Sequence, residues 1–202
     1  CFKDLKDPNA YNPDRAKQLL AEDGWKDTDG DGILDKDGKP LTFNFVVYNS
    51  RAELPLYAEA VQADLKKVGI DMKIKTVDYN LIDKMGQDGD YDMLISNIVT
   101  ANTGDPIWFL ANYWHTNDNG SNPQNGSGYS NPQVDQLLDA AETEFDPAKR
   151  RDYAIQIQQL LMNDGAALFL GYPKTNIITG SYLKGAVMYP SDYYWITNKI
   201  TK

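Results

Sequence analysis

The chain has 202 residues, 42% of them hydrophobic and 24% charged, with a net charge of −9 and a pI of about 4.6. That is enough for one domain with a real core, or one and a half small ones, and it excludes a disordered chain. The acidic balance argues against nucleic acid as a partner, no apolar run is long enough to span a bilayer, and no basic amphipathic helix is visible.

In chain order, "NPDRAKQLLAEDGW" predicts a helix with Asn12 as N-cap, Pro13 at the first helical position, Gly24 as the stop, and Leu19 and Leu20 on the apolar face. An acidic loop follows, and then a β-branched and aromatic strand from Leu41 to Tyr48. "RAELPLYAEAVQADLKKVG" predicts a long helix with Leu56, Ala60, Ala63 and Leu65 near one face, Pro55 in its first turn and Gly69 at its end. Ile70 to Val77 alternates as a strand, "NLIDKMGQ" is a short helix, and Tyr91 to Val99 is a strand buried on both faces. Strand–helix–strand–helix–strand units give parallel or mixed sheets with right-handed crossovers, so the fold class is α/β.

"GDPIWFLANYW" then predicts a short helix, and "HTNDNGSNPQNGSGYS" a polar loop that is mobile or shaped around something else. Two helices follow, one opening at Pro132 and one capped by Asp146 with Pro147 next, and "AALFLGYP" reads as a buried strand. The tail from Asn176 to Lys202 carries strand-like pieces, "NIITG" and "YYWITNKI". No internal repeat and no clean linker is visible.

Ligands of open α/β sheets bind outside the carboxyl ends of the strands. That rule selects Asn49, Ser50 and Arg51 after the first sheet strand. It selects Asn97, Thr100, Asn102, Asp105 and Trp108 around the end of the central one, and Tyr172 after the late one. Amides, hydroxyls, a guanidinium and aromatic rings recognise polar ligands by hydrogen bonds and stacking. The thirteen Tyr and four Trp also suit a cleft. The single His and single Cys disfavour Ser-His, Cys-His and most zinc chemistry, and Cys1 has no partner for an internal disulfide. HExxH, GxSxG and a phosphate-cradling glycine loop are all missing, so no catalytic constellation is visible. His115 is a lone loop histidine and weak support for a ligand or metal role.

The stretch "DTDGDGILDKDG" imitates a calcium loop. Asp27, Asp29 and Asp31 stand at positions one, three and five, Gly32 at six and Asp35 at nine, but Gly38 occupies position twelve, where a bidentate Glu belongs. A strand, not a second helix, follows. The loop is a candidate calcium site in a helix-to-strand connection, or a tight turn built by Asp and Gly. No cofactor is otherwise required.

Several segments together resemble one family. They are "YNPDRAKQLLAEDGW", "SRAELPLYAEAVQADLKKVGIDMKI", "GDYDMLISN" and the long run from "GYSNPQVDQLL" to "FLGYP". The chain is similar to the C-terminal lobe of the family 5 extracellular solute-binding proteins, the oligopeptide-, dipeptide- and nickel-binding proteins of ABC importers, over nearly its whole length and in the family's order. The resemblance implies a periplasmic-binding-protein-like lobe with a mixed or parallel sheet flanked by helices. It implies residues 1–175 as the ligand-binding lobe and 176–202 as a tail that crosses back to a missing N-terminal lobe.

It further implies a peptide or metal-chelate ligand, ABC permease subunits as partners, no catalysis, and an extracellular or periplasmic location, as a lipoprotein in a Gram-positive organism. Here the residues after Cys1 run almost directly into a helix, so Cys1 reads as an arbitrary start and not as a lipid-bearing one. In family members that anchor a free amine, an acid precedes the Asp-Pro by three positions; Asn102 stands there, which weakens a charge-assisted anchor. The competing readings are a calcium-binding extracellular structural or adhesion domain and a hydrolase of unknown type.

Overall fold

Helix formation starts at an Asn-Pro or Asp-Pro dipeptide four times. Asn12, Asp105, Asn131 and Asp146 each precede a proline, and each side chain accepts a hydrogen bond from a backbone N–H in the first helical turn. These residues open α1 (Pro13–Glu22) and three later helices. In this computed structural model residues 5–100, 104–172, 174, 176–188 and 196–202 are described. Cys1, Asn102, Pro173 and the Tyr193–Trp195 part of the last predicted strand lie outside them.

After α1 come the short strands β1 (Asp35–Lys36) and β2 (Lys39–Pro40), a hairpin turned by Asp37 and Gly38, both at positive φ. β3 (Thr42–Tyr48), α2 (Glu53–Lys66) and β4 (Asp71–Val77) form a parallel strand–helix–strand unit. A 3₁₀ turn (Tyr79–Leu81), α3 (Ile82–Asp88) and β5 (Met93–Leu94) complete a three-stranded parallel sheet of order β4-β3-β5. The remaining regular elements among the described residues are helices: α4 (Pro106–Trp114), α5 (Pro132–Thr143) and α6 (Pro147–Asn163).

Two main cores result. Phe45 to Tyr48 of β3, with Leu54 and Ala58 of α2, Met72, Ile82, Met85 and Ile95, make the sheet core. Ile107, Leu110 and Trp114 of α4 pack with Val134, Leu138 and Ala141 of α5 and Ala154, Ile157 and Leu161 of α6. A smaller cluster of Leu41, Val68 and Ile70 seats Leu20, Trp25 and Leu34 at the amino end of the sheet.

The structure corrects five expectations. The buried face of α2 is Leu54, Ala58 and the flanking Tyr57, Val61 and Leu65, not the Leu56–Ala60–Ala63 face; Leu56 is 66% exposed. Of the α1 pair, only Leu20 packs inward, and Leu19 is exposed. The strand buried on both faces is β3, which lies between two neighbours, whereas β5 is a two-residue edge strand.

"AALFLGYP" is no strand over its described residues. Ala166 and Ala167 pack on the helical core and Leu170 on the sheet core, while Leu168, Phe169 and Tyr172 face outward. Apolar composition marks a wish for burial, but a strand also needs a neighbour to take its backbone bonds. The polar loop 115–130 is built, not loose: Asn125 is buried and its amide donates to the carbonyls of His115 (2.9 Å) and Tyr129 (2.8 Å), while Asn122 donates to His115 (2.7 Å).

In the tail, the described residues form no regular strand; Lys184 and Thr201 make one isolated bridge, and Ile178 and Ile196 are 94% and 92% exposed.

Candidate functional site

All three strands of the sheet run parallel, so their carboxyl ends emerge on one side. Tyr48 ends β3 and is buried; Asn49, Ser50 and Arg51 follow it as an exposed bend, and Glu53 opens α2. Val77 ends β4, and Tyr79 then lies edge-on against Tyr48, ring centroids 5.1 Å apart. Beyond β5 the chain extends through Asn97 to the exposed Thr100.

Asn97 knits these loops together. Its backbone N–H donates to the Tyr48 hydroxyl at 3.0 Å, and its side-chain amide donates to a Glu53 carboxylate oxygen at 3.1 Å. The sequence-predicted Asn49, Ser50, Arg51 and Asn97 are therefore brought to one edge. Tyr48, Tyr79 and Glu53 stand there too, unforeseen. Their signal was position: each ends a strand or opens the segment that follows one.

Asp105 and Trp108 lie away from that edge, at the start of α4. Asp105 caps α4, accepting from the Ile107 N–H at 2.9 Å, and its other carboxylate oxygen accepts from Arg150 of α6. The Arg150 guanidinium also donates to the carbonyls of Ala141 and Glu144 (the latter at 2.8 Å), so one side chain ties the start of α4 to the end of α5. Trp108, Asp105 and Arg150 line an open hollow of about 580 Å³ with Asn112, His115 and Glu142, and none of the sheet-edge residues reaches it. Tyr172 is 81% exposed in the segment without strand structure.

At that hollow, His115 sits between Asp139 (3.3 Å) and Asp135 (3.6 Å) of α5. Burial pulls its pKa down, but the Thr116 carbonyl and these two carboxylates outweigh it and hold the pKa above its ordinary value. Nearby, burial and the Asp164 carboxylate, 2.6 Å away, push the Tyr129 hydroxyl up to about 12.

The acidic loop lies on the opposite edge. Leu34 donates its N–H to the Gly69 carbonyl at 2.8 Å, just before β4 begins. One ligand atom each from Asp27, Asp29 and Asp35 lies within 4.8 Å of the others, and Asp31 is not in that group. All four aspartates already serve the turn. Asp27 accepts from Gly30 and Gly32, Asp29 from Asp31, Asp31 from Ile33, and Asp35 from Thr28.

Comparison with known proteins agrees with the fold. Residues 2–121, more than half the chain, match the family model described as bacterial extracellular solute-binding proteins, family 5 middle. The chain is 32% identical to the oligopeptide-binding protein AppA of Bacillus subtilis over 196 residues, covering 93% of this chain and 34% of that protein. It is 26% identical to the nickel-binding protein NikA of Staphylococcus aureus, covering 98% and 38%.

Among solved structures, AppA in complex with a nonapeptide superposes with a TM-score of 0.67 at 32% identity, covering 81% of this chain and 32% of that one. A nickel ABC transporter protein from Bacillus halodurans gives 0.71 at 25% identity, covering 94% and 38%. The chain spans about a third of the length of these relatives. Among the described residues no helix is long and apolar enough to cross a membrane.

Proposed function

Because this chain belongs to the family 5 bacterial extracellular solute-binding proteins, we propose that it forms one wall of the ligand cleft of an ABC importer's substrate-binding component. The observation that carries this reading is the shared carboxyl edge of the parallel strands, where Asn49, Ser50, Arg51, Glu53, Tyr79 and Asn97 converge. Such groups grip a polar solute by hydrogen bonds and stacking, and none forms a nucleophile–base pair. The reading is capture without catalysis. AppA is named for oligopeptides and NikA for nickel, so the ligand proposed here is a short peptide or a metal chelate.

The rest of the cleft belongs to the other lobe of the full-length protein. The outward Leu168, Phe169, Ile178 and Ile196 fit a face and a tail, from about residue 176 onward, that this second lobe covers. ABC permease subunits would receive the ligand, outside the cell membrane, with the full-length protein held there by a lipid anchor in a Gram-positive organism. Calcium is no part of this proposal, since the acidic loop is at the far edge of the sheet. Membership of a binding-protein family supports this reading over the adhesion and hydrolase ones.

Native mass spectrometry of the full-length protein as purified, followed by thermal shift with tetra-alanine and with the nickel–histidine complex, tests the reading. A bound solute or a clear stabilisation by one of them is expected; neither, across peptides and chelates, would refute it. The isolated 202-residue chain has half the contacts and should give no strong response. A micromolar peptide Kd on it would contradict the shared-cleft picture.

A further inference from the structure

Glu53 stands on the carboxyl edge of the sheet, two residues after Arg51. It is half-buried in the first turn of α2, and one carboxylate oxygen accepts the Asn97 amide at 3.1 Å. Asn97 is itself fixed by its backbone bond to the buried Tyr48 hydroxyl, so the carboxylate is aimed, not free to swing. Among the described residues no Lys, Arg or His nitrogen comes within 4.0 Å of it, Arg51 two residues earlier included.

A carboxylate held in one orientation is an acceptor that a cation answers more strongly than a neutral donor does. The amide of Asn97 supplies orientation and one hydrogen bond but no countercharge. We propose that Glu53 is a specificity-determining residue of the cleft, receiving a cationic group of the ligand, with Asn97 as its positioning residue. The chemistry required is a positive centre that can approach a carboxylate oxygen, either the ammonium of a peptide or the metal ion of a chelate. Arg51, exposed on the same edge, offers the opposite sign to a ligand carboxylate. This inference rests on the cleft reading above and narrows it: neutral solutes are disfavoured.

The test is isothermal titration of the full-length protein, wild type and variants, with tetra-alanine, N-acetyl-tetra-alanine and the nickel–histidine complex. Glu53→Gln keeps the shape and the bond from Asn97 but drops the charge. It should weaken whichever cationic ligand the wild type binds by about tenfold or more, because charge-assisted bonds are roughly twice as strong as neutral ones. Glu53→Asp, which keeps the charge, should recover part of that loss. Loss confined to tetra-alanine assigns the ammonium, with the acetylated peptide weak already and indifferent to the substitution; loss confined to the nickel complex assigns the metal. A purely structural Glu53 would lower the melting temperature and leave the affinities alone. If Glu53→Gln, folded by that criterion, binds every ligand within twofold of wild type, the inference is overturned and the cleft reading stands. If the wild type binds none of the three, both fall.

Discussion

Replacing Arg150 by Met removes the guanidinium and keeps most of the apolar stem. In the structure that guanidinium donates to the Asp105 carboxylate and to the carbonyls of Ala141 and Glu144. The two carbonyls belong to the end of α5, where helical partners have run out. Hydrogen bonds involving a charged group are each worth about 1.5–3 kcal/mol when protected.

The Arg150 and Asp105 side chains are 25% and 37% exposed, so water replaces part of what is lost. The expected cost of Arg150→Met is therefore about 2–4 kcal/mol, below the undiscounted sum of three such bonds. Arg150→Lys keeps the charge but cannot reach three acceptors at once, and should lose about half as much. Asp105→Asn keeps an N-cap and removes the charge, since Asn caps about as well as Asp. Urea unfolding followed by circular dichroism measures each change, and a double-mutant cycle isolates the pair. A cost for Arg150→Met under about 0.5 kcal/mol, or strict additivity with Asp105→Asn, would refute the claim that this contact joins the three helices.

Three further outcomes are expected. Gly69 has φ +85°, and a Cβ there would lie 2.6 Å from Leu34 Cγ. Gly69→Ala should cost about 2–4 kcal/mol, from left-handed backbone strain plus overpacking. Gly89→Ala, at φ +69° with open space around it, should cost only about 1–2 kcal/mol in the same urea titration. The raised pKa of His115 means the fold favours its protonated form. That contribution is complete below the ordinary value of 6.5 and fades as pH rises through the higher folded value. His115→Gln should flatten the melting-temperature difference between about pH 6 and about pH 8; an unchanged difference would mean that Asp135 and Asp139 do not hold the proton there.

What was legible in the sequence was whatever is decided within a turn of chain. The four Asn-Pro and Asp-Pro starts are such cases, because the cap bond and the fixed proline φ are local. So is the bend at Asn49–Arg51, which follows from where a β-branched run stops. The buried face of α2 was misread because its apolar residues fit two registers, and the choice is made by the sheet beneath. Ala166 to Tyr172 was misread because composition cannot name a strand's neighbour. The Glu53–Asn97 bond spans 44 positions, and nothing in either local stretch announces the other. Asp105 accepts from Arg150, 45 positions on, and that pairing too was invisible in the local sequence.

The most conspicuous motif and the binding edge are separated by strand polarity itself. In a parallel sheet every strand presents its amino end to one side and its carboxyl end to the other, so a segment preceding β3 cannot share an edge with the segment following it. The acidic loop enters at Leu34 and Leu41, beside Gly69, where β3 and β4 begin. Its carboxylates take up backbone N–H groups that a turn of this tightness leaves without helical or sheet partners. At the carboxyl edge Glu53 has no such backbone duty among the described residues, where its partner is an amide that is itself held from behind. A carboxylate employed by its own backbone is part of the fold, whereas one positioned by a neighbour and left without a countercharge is available to a ligand. On the proposal that Glu53 meets a cation of the ligand, charge for recognition is displayed on the motif-poor carboxyl edge and not on the aspartate-rich loop.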